Sequence, residues 1–190
     1  MVAAAAATPS RASFLAGDCY RLPFATASFE IVHAHQVLQH LVRPETALLE
    51  MRRVATSIVA VTDADYSGMI WWPNTPELAR WMEIYQEIGH RNGVDPNIGR
   101  RLGGIAAEAG LHDSEMSVHT WIYSTMEQRE WWAEIWAGRV LDSNYASLAR
   151  RLGVATDQDL EEVALGWRRW AGIDGAHFTI PNFSLIARIN

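Results

Sequence analysis

Three stretches decide the fold: Phe29 to Ala34 (FEIVHA), Pro44 to Val54 (PETALLEMRRV) and Ile58 to Thr62 (IVAVT). The first and last are short apolar runs of strand length. Between them Ala47, Leu48, Met51 and Val54 recur at helical spacing. Pro44 suits the first helical position because its missing N–H would have been an orphan there. Arg52 and Arg53 fall in the last turn, where cations meet the negative end of the helix dipole. Strand, helix, strand predicts a βαβ unit whose two strands lie parallel and adjacent. Ile58 to Thr62 carries almost no polar residue, as expected of a strand covered on both faces.

Outward from this unit, Ser13 to Gly17 (SFLAG) reads as a further short strand and Asp18 to Phe24 (DCYRLPF) as a loop. Val37 to Leu41 reads as a helical turn. Downstream, helices are predicted over Glu77 to Gly89, Asn97 to Ala109, Met126 to Ala137, Asn144 to Arg151 and Asp157 to Trp170. Strands are predicted over Met116 to Tyr123 and Phe178 to Ile189, with Pro181 at a bulge or at the start of the last strand. Trp132 with Trp136, and Trp167 with Trp170, share helix faces and point to core packing. Trp71 and Trp72 precede Pro73 in a predicted loop and suit a lid over an apolar or aromatic substrate.

Composition narrows the function. The chain has 190 residues, 16 Lys and Arg against 22 Asp and Glu, and a net charge of −6. That balance lacks the basic footprint of a nucleic-acid partner. No apolar stretch is long enough to span a membrane, and Met1 to Ala7 does not form a secretory leader, so a cytoplasmic protein is expected. The single Cys19 excludes an internal disulfide framework. Asn182-Phe183-Ser184 matches a glycosylation acceptor and is read as chance. His33, His35 and His40 lack a cysteine or carboxylate at ligand spacing, so no metal site is expected.

Gly17-Asp18-Cys19-Tyr20-Arg21-Leu22-Pro23-Phe24, then Ser28-Phe29-Glu30-Ile31-Val32, then Val37-Leu38-Gln39-His40-Leu41 together resemble the class I S-adenosylmethionine-dependent methyltransferases. The likeness is to the small-molecule branch of ubiquinone and menaquinone methyltransferases. Ala47 to Val54 (ALLEMRRV) and Val59 to Ser67 (VAVTDADYS) extend it. The resemblance implies an α/β fold: a Rossmann-like doubly wound methyltransferase sheet, N-terminally truncated, with a helical Trp-rich cap. It implies one domain over 1–190, with a partial cofactor-binding part at 13–68 and cap helices with the C-terminal strands at 69–190.

The same resemblance implies S-adenosyl-L-methionine as cofactor and methyl transfer to a small, apolar molecule. Asp18 would accept from the adenine amino group, with the Cys19 N–H against the ring, and His35 would lie beside the methionine part. A carboxylate suits an exocyclic amine because it only accepts; the other reading is that Asp18 merely caps its own turn. His40 would lie near the transferred methyl, as general base or as a residue that orients the turn. Asp63 and Asp65 could bind or deprotonate substrate, or cap the loop after their strand.

Two family features are not found. No glycine-rich turn and no ribose-binding acid precede the Gly-Asp strand in Met1 to Ala12, and Ala55-Thr56-Ser57 stands where a Pro-Gly-Gly turn is usual. The cofactor site is therefore expected to be incomplete, and the chain alone to bind S-adenosylmethionine weakly or not at all. An inner strand without its neighbours would leave a sheet edge open to a second copy or a partner chain. The alternative function is a non-catalytic methyltransferase-like subunit or a fragment inactive alone; a cofactor-independent rearrangement in the same pocket is a third.

Overall fold

A computed structural model describes residues 12–189; the alanine run Ala3 to Ala7 lies outside them. The elements run β1 (Phe29–His35), a 3-10 turn (Leu38–His40), α1 (Pro44–Val54), β2 (Ala55–Ala64), a second 3-10 turn (Tyr66–Gly68) and β3 (Ile70–Trp72). They continue with α2 (Pro76–Arg91), a 3-10 turn (Ile98–Arg101) leading into α3 (Leu102–Glu108), β4 (Ser114–Tyr123), α4 (Met126–Leu141), α5 (Asn144–Arg151), α6 (Asp157–Ala171) and β5 (His177–Arg188). The chain is α/β, with one mixed five-stranded sheet.

β1 and β2 pair in parallel, with Val32 opposite Val59 and Ala34 opposite Val61, joined through α1 as the apolar pattern predicts. β5 runs antiparallel to β2, with Val61 opposite Leu185, and antiparallel to β4 along nearly its whole length. The short β3 also pairs β5, with Trp71 opposite Phe178. β2 and β3 thus share one edge of β5, interrupted at Pro181. The proline's missing N–H falls in that gap, and its carbonyl accepts the Asp65 N–H at 3.1 Å. The Gly68 backbone passes so close that an added Cβ would lie 2.9 Å from the proline ring.

β5 organises two cores because side chains alternate between sheet faces. Phe178 and Ile180 point to one face and join α2, α4, α5 and α6 around Trp81, Trp136, Trp167 and Trp170. Leu185 and Ala187 have the opposite parity. They join Val59 and Val61 of β2 against Leu48 and Met51 of α1 and Leu102 and Ile105 of α3. The predicted core role of the Trp132–Trp136 and Trp167–Trp170 pairs holds, since all four are buried.

Two expectations fail. Ser13 to Gly17 forms no strand: it is irregular and exposed, with only an isolated bridge from Asp18 to Arg21. The described residues offer it no neighbouring strand, and an apolar run without a ladder partner gains nothing by extending. The Trp71–Trp72 stretch is a strand rather than a loop, because β5 supplies a ladder that local sequence cannot reveal. Among the described residues the other edge of β1 carries no strand, and Ile31 on it remains 57% exposed.

Candidate functional site

Where β1 and β2 end, the chain turns sharply. Gln36 takes a left-handed conformation with φ of 55°, while its N–H donates to the Thr62 carbonyl at 2.8 Å. The following 3-10 turn is tied down by Asp63 at the end of β2. The Asp63 carboxylate accepts the N–H of Gln39 at 3.1 Å and of Leu38 at 3.3 Å. Asp63 is fully buried, and burial pushes its pKa from 3.8 up to about 6 against the pull of those N–H donors.

Beside this turn lies a cavity of about 800 Å³. Its floor and walls come from Tyr66, Tyr85, Trp121, Trp132, Trp136 and Tyr145, and its polar rim from Gln36, Gln39, His40 and Arg139. Tyr66 and Tyr85 stack with ring centres 4.1 Å apart. The size and the apolar lining with a few polar groups are those of a small-molecule site. Its place, beyond the carboxyl ends of the parallel strands, is where open α/β sheets bind ligands.

His40 borders this cavity, and its surroundings together with the charge of Arg139 hold its pKa below the ordinary histidine value. Its Nε2 lies 3.4 Å from the Gln39 amide nitrogen. His35 ends β1, exposed, with its ring 6.2 Å from His33 and 5.9 Å from Trp121. Asp18 is exposed and accepts the Tyr20 N–H on Oδ1 at 2.9 Å, the turn-capping geometry. Cys19 is half-buried, and burial followed by the Asp18 charge raises its pKa, so the thiol stays protonated. The Leu22-Pro23-Phe24 loop beyond is clamped to α1. Arg53 donates to the carbonyls of Leu22 and Phe24, and Glu50 accepts the Leu22 N–H at 2.9 Å.

The expected substrate-pocket set is corrected. None of Asp63, Asp65, Trp71 and Trp72 lines the cavity. Asp63 is spent on the turn that carries Gln39 and His40. Asp65 caps its own 3-10 turn through the Gly68 N–H at 3.2 Å and is forked by Arg100. Trp71 lies flat on Phe178, 5.8 Å away at 9°, within the aromatic core. Trp72 is 61% exposed on the strand edge. Pairing of β3 with β5 draws both rings away from the opening.

Sequence reasoning missed Gln36, Gln39, Asn182 and Arg139. Arg139 could have been found, since it lies three residues after Trp136 on the same helix face. Asn182, read as a chance glycosylation match, is fully buried and hydrogen-bonded within the fold.

Residues 1–57 match the family model described as "Methyltransferase domain". A relative from Schizosaccharomyces pombe, named as an uncharacterized methyltransferase, is 35% identical over 165 residues, which is 83% of this chain and 57% of that protein. The chain thus spans little more than half the length of this curated relative. Among solved structures, a candidate methyltransferase from Bacillus halodurans C-125 aligns over 90% of this chain and 75% of its own at 16% identity, with a TM-score of 0.47. The [4+2]-cyclase SpnF aligns over 92% and 54% at 19% identity, with a TM-score of 0.45. In sequence, this chain is similar to methyltransferases.

Proposed function

We propose that the protein is part of an S-adenosylmethionine-dependent methyltransferase acting on a small molecule. The observation that carries this reading is the cavity beyond the carboxyl ends of β1 and β2, in a chain whose first 57 residues match a methyltransferase domain. The exposed Asp18 carboxylate keeps an oxygen outside its own turn, beside the half-buried Cys19. An acceptor next to a partly apolar wall fits the amino edge of adenine. When bound, S-adenosylmethionine supplies an electrophilic methyl group on sulfur. Asp18 and Cys19 would hold its adenine end and His35 would lie toward its methionine end.

The chain's own contribution is positioning and proton handling. The aromatic walls exclude water and orient a planar substrate. His40, kept neutral by its surroundings, can accept a proton from a substrate hydroxyl or orient it. The edge of β1 that carries no strand among the described residues supports a further strand, from a second copy or a partner, completing the sheet. Calorimetric titration with S-adenosylhomocysteine tests the reading. Weak heat that nears saturation only at about millimolar ligand, and that Asp18→Ala diminishes, is expected; heat indistinguishable from dilution in the presence and absence of substrate analogues would refute it.

A further inference from the structure

One chain of amides near the cavity has a fixed direction. The Ile180 carbonyl can only accept, so the Asn182 side chain must donate to it, at 3.0 Å. That leaves Asn182 Oδ1 to accept from Gln36 Nε2 at 2.7 Å, and Gln36 Oε1 to accept from Gln39 Nε2 at 2.8 Å. Turning any one amide over would set two acceptors or two donors face to face. Gln39 Oε1 is therefore the free end. Gln39 is only 3% exposed and lines the cavity, and its Oε1 has no hydrogen-bond partner among the described residues. That oxygen is sealed from solvent in this conformation, so a donor reaches it only as neighbouring side chains shift, and the unmet buried acceptor favours that shift.

A second observation is independent of the first. Among the described residues, Arg139 is the sole Lys, Arg, Asp or Glu lining the cavity, in a chain of net charge −6. Its guanidinium lies over the Trp136 ring, 5.1 Å from the centroid, and it makes no ion pair among the described residues. A cation held against an aromatic wall, with carboxylates kept away, selects an anion.

Resting on the methyltransferase reading of this cavity, we infer that its substrate is a small aromatic acid: a planar ring between the Trp and Tyr walls, an anionic group toward Arg139, and a hydroxyl that donates to Gln39 Oε1. It adds a charged group to the small, apolar or aromatic substrate expected from the sequence.

The test compares four probes of one size by calorimetry on the whole chain without cofactor: 4-hydroxyphenylacetate, its methyl ester, tyramine and phenylacetate. The hydroxy acid is expected to bind about tenfold or more tightly than the ester and than phenylacetate, with tyramine weakest. Arg139→Gln should erase the preference for the acid while leaving ester affinity unchanged, and Gln39→Met should erase the preference for the hydroxyl. Arg139 is solvent-facing, so its variant is expected to fold. Ester binding equal to that of the acid, retention of acid preference in Arg139→Gln, weakening of S-adenosylhomocysteine rather than of the acid in that variant, or no binding of any probe would overturn the inference. Acid-selective binding without S-adenosylhomocysteine binding would leave this inference standing and refute the transferase reading; the converse result would do the reverse.

Discussion

The two cores of this protein are built from different materials. The one beneath β2 and the second half of β5 is aliphatic, from Leu48, Val59, Leu102 and Leu185, with no buried aromatic ring among the described residues. The one against the first half of β5 gathers Trp81, Trp132, Trp136, Trp167, Trp170 and Phe178. Every tryptophan of the chain lies between residues 71 and 170, outside the aliphatic core. Branched aliphatic side chains interlock and fill the space between sheet and helix. Flat, rigid rings meet at edges, as Trp81 does with Trp136 at 4.6 Å and 71° and with Trp167 at 5.0 Å and 81°. The cavity opens at the margin of the ring cluster. One core holds the strand ends in place, and the other borders the cavity beside them.

The heaviest blow to this comparison would fall on Trp81, fully buried at the centre of the rings. Trp81→Ala is expected to cost about 3–5 kcal/mol in denaturant unfolding. Because β5 belongs to both cores, tryptophan fluorescence, which reports the aromatic core, and far-UV circular dichroism, which reports both, should give coincident transitions in the parent protein. Separate midpoints would show that the cores are independent units.

Asp63 gives the next effect, on the aliphatic side. Its folded-state pKa is raised from 3.8 to about 6, so the folded chain holds that proton more tightly than the unfolded one. Its contribution is most favourable below about pH 4 and is lost as pH rises through about 6, a change of about 3 kcal/mol at 1.36 kcal/mol per pH unit. His40, with its pKa lowered by its surroundings and then by Arg139, contributes with the opposite slope. The difference between the parent and Asp63→Asn therefore isolates the Asp63 part. A difference that does not vary over this window would contradict the burial argument.

Gly99 sharpens the contact between the Ile98–Arg101 turn and the end of β2. A Cβ there would lie 2.8 Å from the Asp63 carbonyl and 2.9 Å from Phe183. Gly99→Ala should cost about 1–3 kcal/mol by overpacking, measured by the urea midpoint. The smallest effect is at the start of α4, where Thr125 and Gln128 form a reciprocal capping box. Thr125→Ala should cost about 1 kcal/mol, seen as a small fall in melting temperature.

The β1–α1–β2 crossover was legible because its signals are local: apolar runs, helical spacing and Pro44 at a helix start. β3 was not, since Ile70 pairs with Thr179 more than a hundred residues away and the three-residue segment carries no period of its own. The Ser13 to Gly17 run misled for the same reason, being apolar like a strand but lacking a ladder. His40 stood out as a candidate because imidazole has recognised chemistry, and it borders the cavity. Gln36, Gln39 and Asn182 did not stand out, because the meaning of an amide lies in the direction of its hydrogen bonds, which only the fold sets. Asp63 stayed open between a pocket acid and a cap because nothing in sequence tells a carboxylate that faces substrate from one that holds a turn.

The most direct test of the division between a cofactor wall and an aromatic substrate chamber is nitrogen–proton correlation spectroscopy of the labelled chain during titration with S-adenosylhomocysteine. The backbone amides of Asp18, Cys19 and His35 should shift and saturate together, while the indole N–H signals of Trp81 and Trp167, buried in the ring cluster, stay in place. If the Asp18 and Cys19 amides do not move, or the shifts gather on the buried tryptophans instead, the division is wrong.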